Sequence, residues 1–347
     1  MAKRKTVAAP RAMAMAEIST GKQFNKSGTW AGQQFLKALN AGQGITTDAL
    51  RTLDTLRKDE WVAFDNALVE EGHIRLKGIA DLIAAGLTIP VPNALGKTIF
   101  QYEKMTDMSA AQISLDGMAA TDDDRVEFTL GNLPLPIIHK DWSLNLRTLT
   151  ASRERGEALD TTQTRVAGRL ISEMQEYVLF RGYAPKFLGF PIYGYTSHPN
   201  RETGGFIANG NWAQTAKTGS DCLNDTLKMI KALQAKGFYG PYNLYVDSLA
   251  STKLSEDFKA NGDLTIRERL LMIEEIKGIT VADQQLANHV SLVQMTRDVV
   301  ALVQGEPVQT IQWDIEGGFT IRFKGFCIQV PLVRSDDRSY VGVYDMS

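Results

Sequence analysis

The segment Val91-Pro-Asn-Ala-Leu-Gly96-Lys97-Thr98 closes as a phosphate-binding loop closes, on Gly-Lys-Thr. In such a loop the lysine reaches the outer phosphates, and a first glycine turns the chain so that backbone amides face the anion. Val91 stands where that glycine belongs, and Ile99-Phe-Gln-Tyr102 reads as a strand where a helix should start. No nucleotide site is expected. The four histidines, His73, His139, His198 and His289, fall in different segments without the i, i+4 or short-loop spacing of metal ligands. The acidic run Asp122-Asp-Asp124, even taken with Asp116, lacks the alternating ligands and closing glutamate of a calcium loop. There is no Gly-x-Ser-x-Gly elbow, and Cys222 and Cys327 have no histidine near them in sequence. The expectation is a protein without catalytic, cofactor or metal residues, and not an enzyme.

Composition narrows the class further. With 347 residues, 44% hydrophobic and 22% charged, the chain can bury a large core and build two or more subdomains. Its 38 Lys and Arg against 40 Asp and Glu leave a net charge of -2, so no global basic field draws it to nucleic acid or membrane. A local contact is still open to Lys3, Arg4, Lys5 and Arg11, a small cationic cluster near the start. Two widely separated cysteines predict no disulfide framework and suit a reducing cytoplasm. The first residues lack a signal-length apolar stretch, and no window reaches the roughly 18 apolar residues that a membrane span needs. A soluble protein is expected.

The elements that would position any functional side chain read as follows. Residues 1–47 are rich in small and polar types with no sustained period, which suggests an arm held by a partner surface. Asp48 opens a helical region in which Leu53, Leu56, Val62, Leu68 and Val69 recur near a 3.6 spacing, and Gly86 ends it. Pro90 and Pro92 make the next stretch extended. Strands are expected over 98–102 and 125–130, joined by a long, weakly apolar connection: a projecting hairpin with little core of its own. Asp160 and Gln163 form a capping pair for a long helix to about Arg181, with Val166, Leu170, Met174 and Val178 as its buried face and Arg165, Arg169, Glu173 and Glu176 solvated or paired with a neighbour. A Gly-rich connection follows to Gly219, with a short hairpin around 190–195. Ser220 caps a helix that Gly237 stops; then come a strand over 242–246, a helix over 264–276, and strands at 278–281, 299–303, 319–323 and 327–330.

This order of elements resembles the Hong Kong 97-type major capsid fold shared by tailed-phage capsids and encapsulin shells. The resemblance covers about residues 88–347. It is carried by Leu133-Pro-Leu-Pro-Ile-Ile-His-Lys-Asp-Trp142, by Ala151-Ser-Arg-Glu-Arg-Gly-Glu-Ala-Leu-Asp160 before the long helix, by Tyr177-Val-Leu-Phe-Arg-Gly182 after it, and by Lys236-Gly-Phe-Tyr-Gly-Pro-Tyr242 leading into a strand. The resemblance implies an α+β fold: an N-terminal arm (1–47), a helical segment (48–88), an E-loop (89–135), a P-domain with a spine helix (136–219), an A-domain (220–312) and late strands (313–347). It implies that Lys97, Phe100, Tyr102, Lys104, Asp122, Asp123 and Asp124 lie on an E-loop that crosses a neighbouring subunit. Some members crosslink through an E-loop lysine; Lys97 and Lys104 lie in that stretch, but no partner asparagine is identified. The implied function is self-assembly through pentamers and hexamers into an icosahedral virion shell around double-stranded DNA, built in the cytoplasm of a bacterial host. The implied partners are other copies of itself, with scaffolding, portal and decoration proteins. The alternative is an encapsulin-like compartment holding a cargo enzyme. The 87 residues ahead of the resemblance, longer than a typical encapsulin amino end, favour the phage branch. The cluster Lys3, Arg4, Lys5 and Arg11 would then face the interior and its DNA.

Overall fold

A computed structural model describes residues 66–67, 76–106, 125–145, 147–148, 161–259, 264–315 and 320–347, with isolated positions 108, 111, 113, 115 and 262. The arm, most of the first helical region, Asp116, Asp122–Asp124 and Asp160 therefore lie outside the described residues.

Two larger sheets and two two-stranded ribbons make up the β structure of the described residues. The first has four strands: β1 (Thr88–Pro90), β4 (Ile138–Asn145), β11 (Val300–Ile315) and β12 (Thr320–Val333), in the order β1-β11-β12-β4. β12 is one continuous strand where the sequence predicts two. Lys324-Gly-Phe326 reads as a break, yet it stays in register against β4, with Gly325 opposite Lys140. Gly325 is there for close approach: a Cβ on it would lie 2.9 Å from the Ile171 side chain of the long helix α2 (Thr162–Arg181).

The second sheet comprises β7 (Glu202–Gly204), β8 (Tyr242–Val246), β9 (Ile276–Val281), β10 (Val290–Gln294) and β13 (Val343–Met346), ordered β7-β13-β10-β8-β9. The boundary expected at 312 thus falls inside β11, and β7 pairs with the last strand, far from its sequence neighbours. Helices α3 (Gly219–Gln234) and α5 (Ile266–Leu271) cover one face of this sheet through Met229, Leu233, Leu244, Leu270 and Leu292. On the other face, Tyr245, Val293 and Val343 join Leu179 and Phe180 of α2 and Ile79 and Leu82 of α1 (Lys77–Ala84), which ties the two sheets into one core.

Local chemistry explains the helix limits. The α3 N-cap is Thr218, not Ser220: its side chain accepts from the Asp221 amide, and Asp221 returns a bond to the Thr218 amide. This reciprocal box satisfies two amide donors that a helix end leaves free. We expect Thr218→Ala to lower stability by about 1 kcal/mol, read as a reduced urea midpoint at unchanged slope; an unchanged midpoint would show the box to be idle.

The Gly-rich connection before α3 carries a short hairpin, β5 (Tyr183–Phe187) with β6 (Phe190–Ile192), close to the one expected around 190–195, and its later part is held by one buried carboxylate. Asp225 accepts from Lys217 Nζ at 2.6 Å, from Trp212 Nε1 at 2.9 Å and from the Ile207 amide at 2.8 Å. Lys217 also donates to the Ala208 carbonyl at 2.6 Å. A buried pair is tolerated because each charge has further hydrogen-bond partners besides the other.

Candidate assembly surfaces

Groups able to do chemistry are dispersed. Among the described residues, no cluster of three or more His, Cys, Asp or Glu could hold a metal ion. Burial pushes the thiols of Cys222 and Cys327 up to about 12, so both are poor nucleophiles at neutral pH. Burial, with Lys104 and Arg201 nearby, lowers His198 to about 4 and keeps it neutral. His289 and Ser291 meet at Asp345, but both are bound to the carboxylate, at 3.1 and 3.2 Å, and Gln285 donates to the Ser291 hydroxyl at 2.6 Å. The hydroxyl has a carboxylate and an amide as partners in place of an imidazole base, so this is a structural network and not a nucleophile with its base. The Gly-Lys-Thr segment runs through a short 3-10 turn, Ala94–Gly96, into strand β2 (Ile99–Met105), as its sequence predicts.

The hairpin is the feature that stands apart. β2 pairs antiparallel with β3 (Phe128–Pro134), from Ile99 opposite Pro134 at the base to Met105 opposite Phe128 toward the tip. Its base is seated on its own chain. Phe100 and Tyr102 pack beside Leu133, Leu135, Val303 and Val330, Lys104 donates to Ser335 Oγ at 2.9 Å, and the Arg334 guanidinium lies 5.7 Å from the Tyr102 ring. Phe100, Tyr102 and Lys104, expected to meet a neighbour, are thus half-buried against their own chain. They share one face of β2 by the two-residue strand period, and that face turns inward. Lys97 is exposed. Beyond this seat the hairpin is bare: Met105, Phe128 and Leu130 are 65%, 65% and 64% exposed.

The spine helix carries the second correction. α2 packs on β12 and β4, but Val166 and Leu170 point away at 43% and 37% exposure. Met174 is half-buried and Val178 buried, both against the cluster under the hairpin base. The buried face runs through Thr164, Ala167, Gly168, Ile171, Ser172, Gln175 and Leu179, displaced by about one residue from the expected row. The reason lies in the sheet below, where Gly325 lets the helix come close and Gln329 accepts from Gln175 Nε2 at 2.8 Å. Mostly small and polar side chains fit that narrow gap beside Ile171, and Val166 and Leu170 are left outside. The helix begins after Thr161, whose side chain makes no capping bond; Asp160, expected to cap it, lies outside the described residues.

Glu176 also departs from the expected solvated face. It is buried and accepts from the Ile79 amide at 3.2 Å, with the Gly78 and Lys77 amides also bonding to it. It thereby caps α1, whose own N-cap Leu76 offers no side-chain bond. Burial raises its carboxyl to about 7 against the pull of those three amides, with Asp81 adding to the rise.

Comparison with known proteins places these surfaces on a familiar frame. The family model described as "Family of unknown function (DUF6260)" matches residues 48–314. The type 1 encapsulin shell protein EncA of Myxococcus xanthus (strain DK1622) is 23% identical over 216 residues, 61% of this chain and 68% of that protein. Among solved structures, the virus-like particle from Pyrococcus furiosus is similar with a TM-score of 0.60 at 15% identity, over 82% of this chain and 98% of that one. The capsid of Myoviridae phage XM1 is similar with a TM-score of 0.58 at 10% identity, over 76% and 90%. The chain has the Hong Kong 97-type shell fold, with mixed helix and sheet, as the order of its elements implies.

Proposed function

The chain belongs to the DUF6260 family of unknown function, and for it we propose a structural role: the major capsid protein of a tailed bacteriophage, assembling through pentamers and hexamers into an icosahedral shell around double-stranded DNA. The observation that carries this is the hairpin whose outer half leaves Met105, Phe128 and Leu130 uncovered on its own chain. Such an apolar projection is stable in water when another copy covers it. The exposed row of Val166, Leu170 and Tyr177 on α2 adds a second uncovered stripe. In this reading Lys3, Arg4, Lys5 and Arg11 face the interior, Asp122, Asp123 and Asp124 belong to the tip that crosses a neighbour, and scaffolding, portal and decoration proteins are further partners in the host cytoplasm.

A second reading, a nanocompartment that holds a cargo protein, is favoured by the likeness to EncA. One experiment tests both. Purified protein is expected to form closed particles of uniform diameter by negative-stain microscopy; a monomer or small oligomer at micromolar concentration would refute the shell role. Particles from the producing cells should then protect double-stranded DNA from nuclease. A protected protein cargo with no DNA would replace the capsid reading by the compartment.

A further inference from the structure

Cationic side chains from separate stretches of the chain converge at the inner seat of the hairpin. β2 brings Lys104, the turns before β7 bring His198 and Arg201, and the segment after β12 brings Arg334. Tyr102 is the base on which two of them rest. Its ring lies against Gly131, where a Cβ would come within 2.4 Å of it, and Lys104 Nζ and the Arg334 guanidinium stand 5.9 and 5.7 Å from its centroid. Lys104 also donates to Ser335 Oγ at 2.9 Å, which sets it beside the residue that follows Arg334.

Among the described residues neither Lys104 nor Arg334 has a carboxylate partner. The acids of the same segments are engaged elsewhere. Asp336 and Asp337 accept from the Tyr340 and Arg338 amides of their own turn, Glu202 is paired with Lys236, and Asp345 is held by Arg201 and His289. Glu103 falls on the opposite face of β2 from Lys104 by the two-residue strand period. Arg334 Nε is buried and has no hydrogen-bond partner. Half-buried cations without a counter-charge leave a local positive potential. His198 responds to it: burial first, then Lys104 and Arg201, lower its imidazole to about 4.

The donors suit an oxyanion. A guanidinium offers phosphate or sulfate oxygens a planar fork, and a lysine adds a point charge. The Ser335 hydroxyl, which accepts from Lys104, keeps its own O–H to donate. Three donor side chains fit an ion with four oxygens better than a planar carboxylate with two. We propose that Lys104, Arg334 and Ser335 form a site for a free tetrahedral oxyanion of the phosphate class, which clamps hairpin strand β2 to the segment after β12. The site lies within one chain and does not depend on the shell reading.

Titration calorimetry of the purified protein tests this, with inorganic phosphate added at constant ionic strength in a chloride buffer. One phosphate per chain is expected, and sulfate should compete for it. Arg334→Gln and Lys104→Gln should each weaken binding by roughly tenfold or more, since each removes a charged hydrogen bond. Lys186→Gln, at an exposed lysine on β5, should bind as the unmodified protein does. Hydrogen exchange gives a second readout: phosphate should slow the amides of residues 102–106 in the unmodified protein and leave them unchanged in Arg334→Gln. Should Arg334→Gln fail to fold, Lys104→Gln decides alone. Millimolar phosphate that gives neither binding heat nor slowed exchange would overturn the site, and so would binding that both variants keep. An equal response to added chloride would reduce the effect to ionic strength and also overturn it. Saturation by short duplex DNA without any by free phosphate would assign these residues to a nucleic-acid backbone instead. Each of these failures leaves the shell role standing.

Discussion

Ile171→Ala is expected to cost about 2–5 kcal/mol of subunit stability through the cavity it leaves, whereas Leu170→Ala, one residue earlier, should cost less than about 1 kcal/mol. Ile171 is 1% exposed and fills the space above Gly325, between the spine helix and the sheet. Leu170 already meets solvent, so its truncation removes little buried area. The surroundings of Ile171 argue for the upper part of its range. The helix is held on one side by the Gln175–Gln329 bond and on the other by packing at Leu179, so it has little freedom to settle into the void. Urea denaturation of dissociated subunits gives the comparison directly. Equal losses for the two variants, or the larger loss at Leu170, would mean that the helix is rotated from the face described. Leu170→Ala has a further use: if the subunit keeps its stability yet particles are lost, the outward row of Val166, Leu170 and Tyr177 is an assembly contact and not a folding one.

That pair also marks where sequence reading succeeds and where it stops. The existence, length and end of the spine helix are legible because a 3.6 period persists over twenty residues and Gly182 closes it. Its orientation is not. Periodicity counts apolar residues, and the row at 166, 170, 174 and 178 is the more apolar one, but the sheet beneath presents a glycine and a glutamine and selects Ala167, Gly168, Ser172 and Gln175. Only the partner surface carries that information. The hairpin was legible as two strands with little core between them, since alternation and a polar connection are local signals. Its inner face was not, because the seat that Phe100, Tyr102 and Lys104 find at Val303, Arg334 and Ser335 lies more than two hundred residues away in sequence. The order of elements conveyed the fold because topology survives where individual contacts do not.

Glu176 lies on the face expected to be solvated or paired with a neighbour, yet it is buried, and its burial makes the last prediction. Its carboxyl is raised from 4.5 to about 7, so the folded chain binds a proton that the unfolded chain releases between those two values. Stability from this group is therefore fully present below about pH 4.5, falls as pH rises toward 7, and is constant above it. The difference of 2.5 units corresponds to at most about 3 kcal/mol. Facing the group are Asp81 of α1, Lys77 at the helix start, Glu173 one turn earlier on α2, Asp283 after β9, and the phenols of Tyr195 and Tyr245. Asp81 is itself engaged, accepting from Thr280 Oγ1 at 2.8 Å, so it stays in place to oppose a charge on Glu176. Glu176→Gln keeps an oxygen to accept from the α1 amides and cannot ionise. It should match the unmodified protein near pH 4.5 and exceed it in urea midpoint at pH 8. The stability difference between the two should grow across pH 4.5–7 and level off above it, a readout from which other titrating groups largely cancel. Glu176→Ala should be worse at every pH, because three helix-end amides lose their acceptor in a dry site. Parallel pH profiles for the unmodified protein and Glu176→Gln would show that the carboxylate is ionised without penalty where it lies, and that the α1 amides alone are enough to hold its charge.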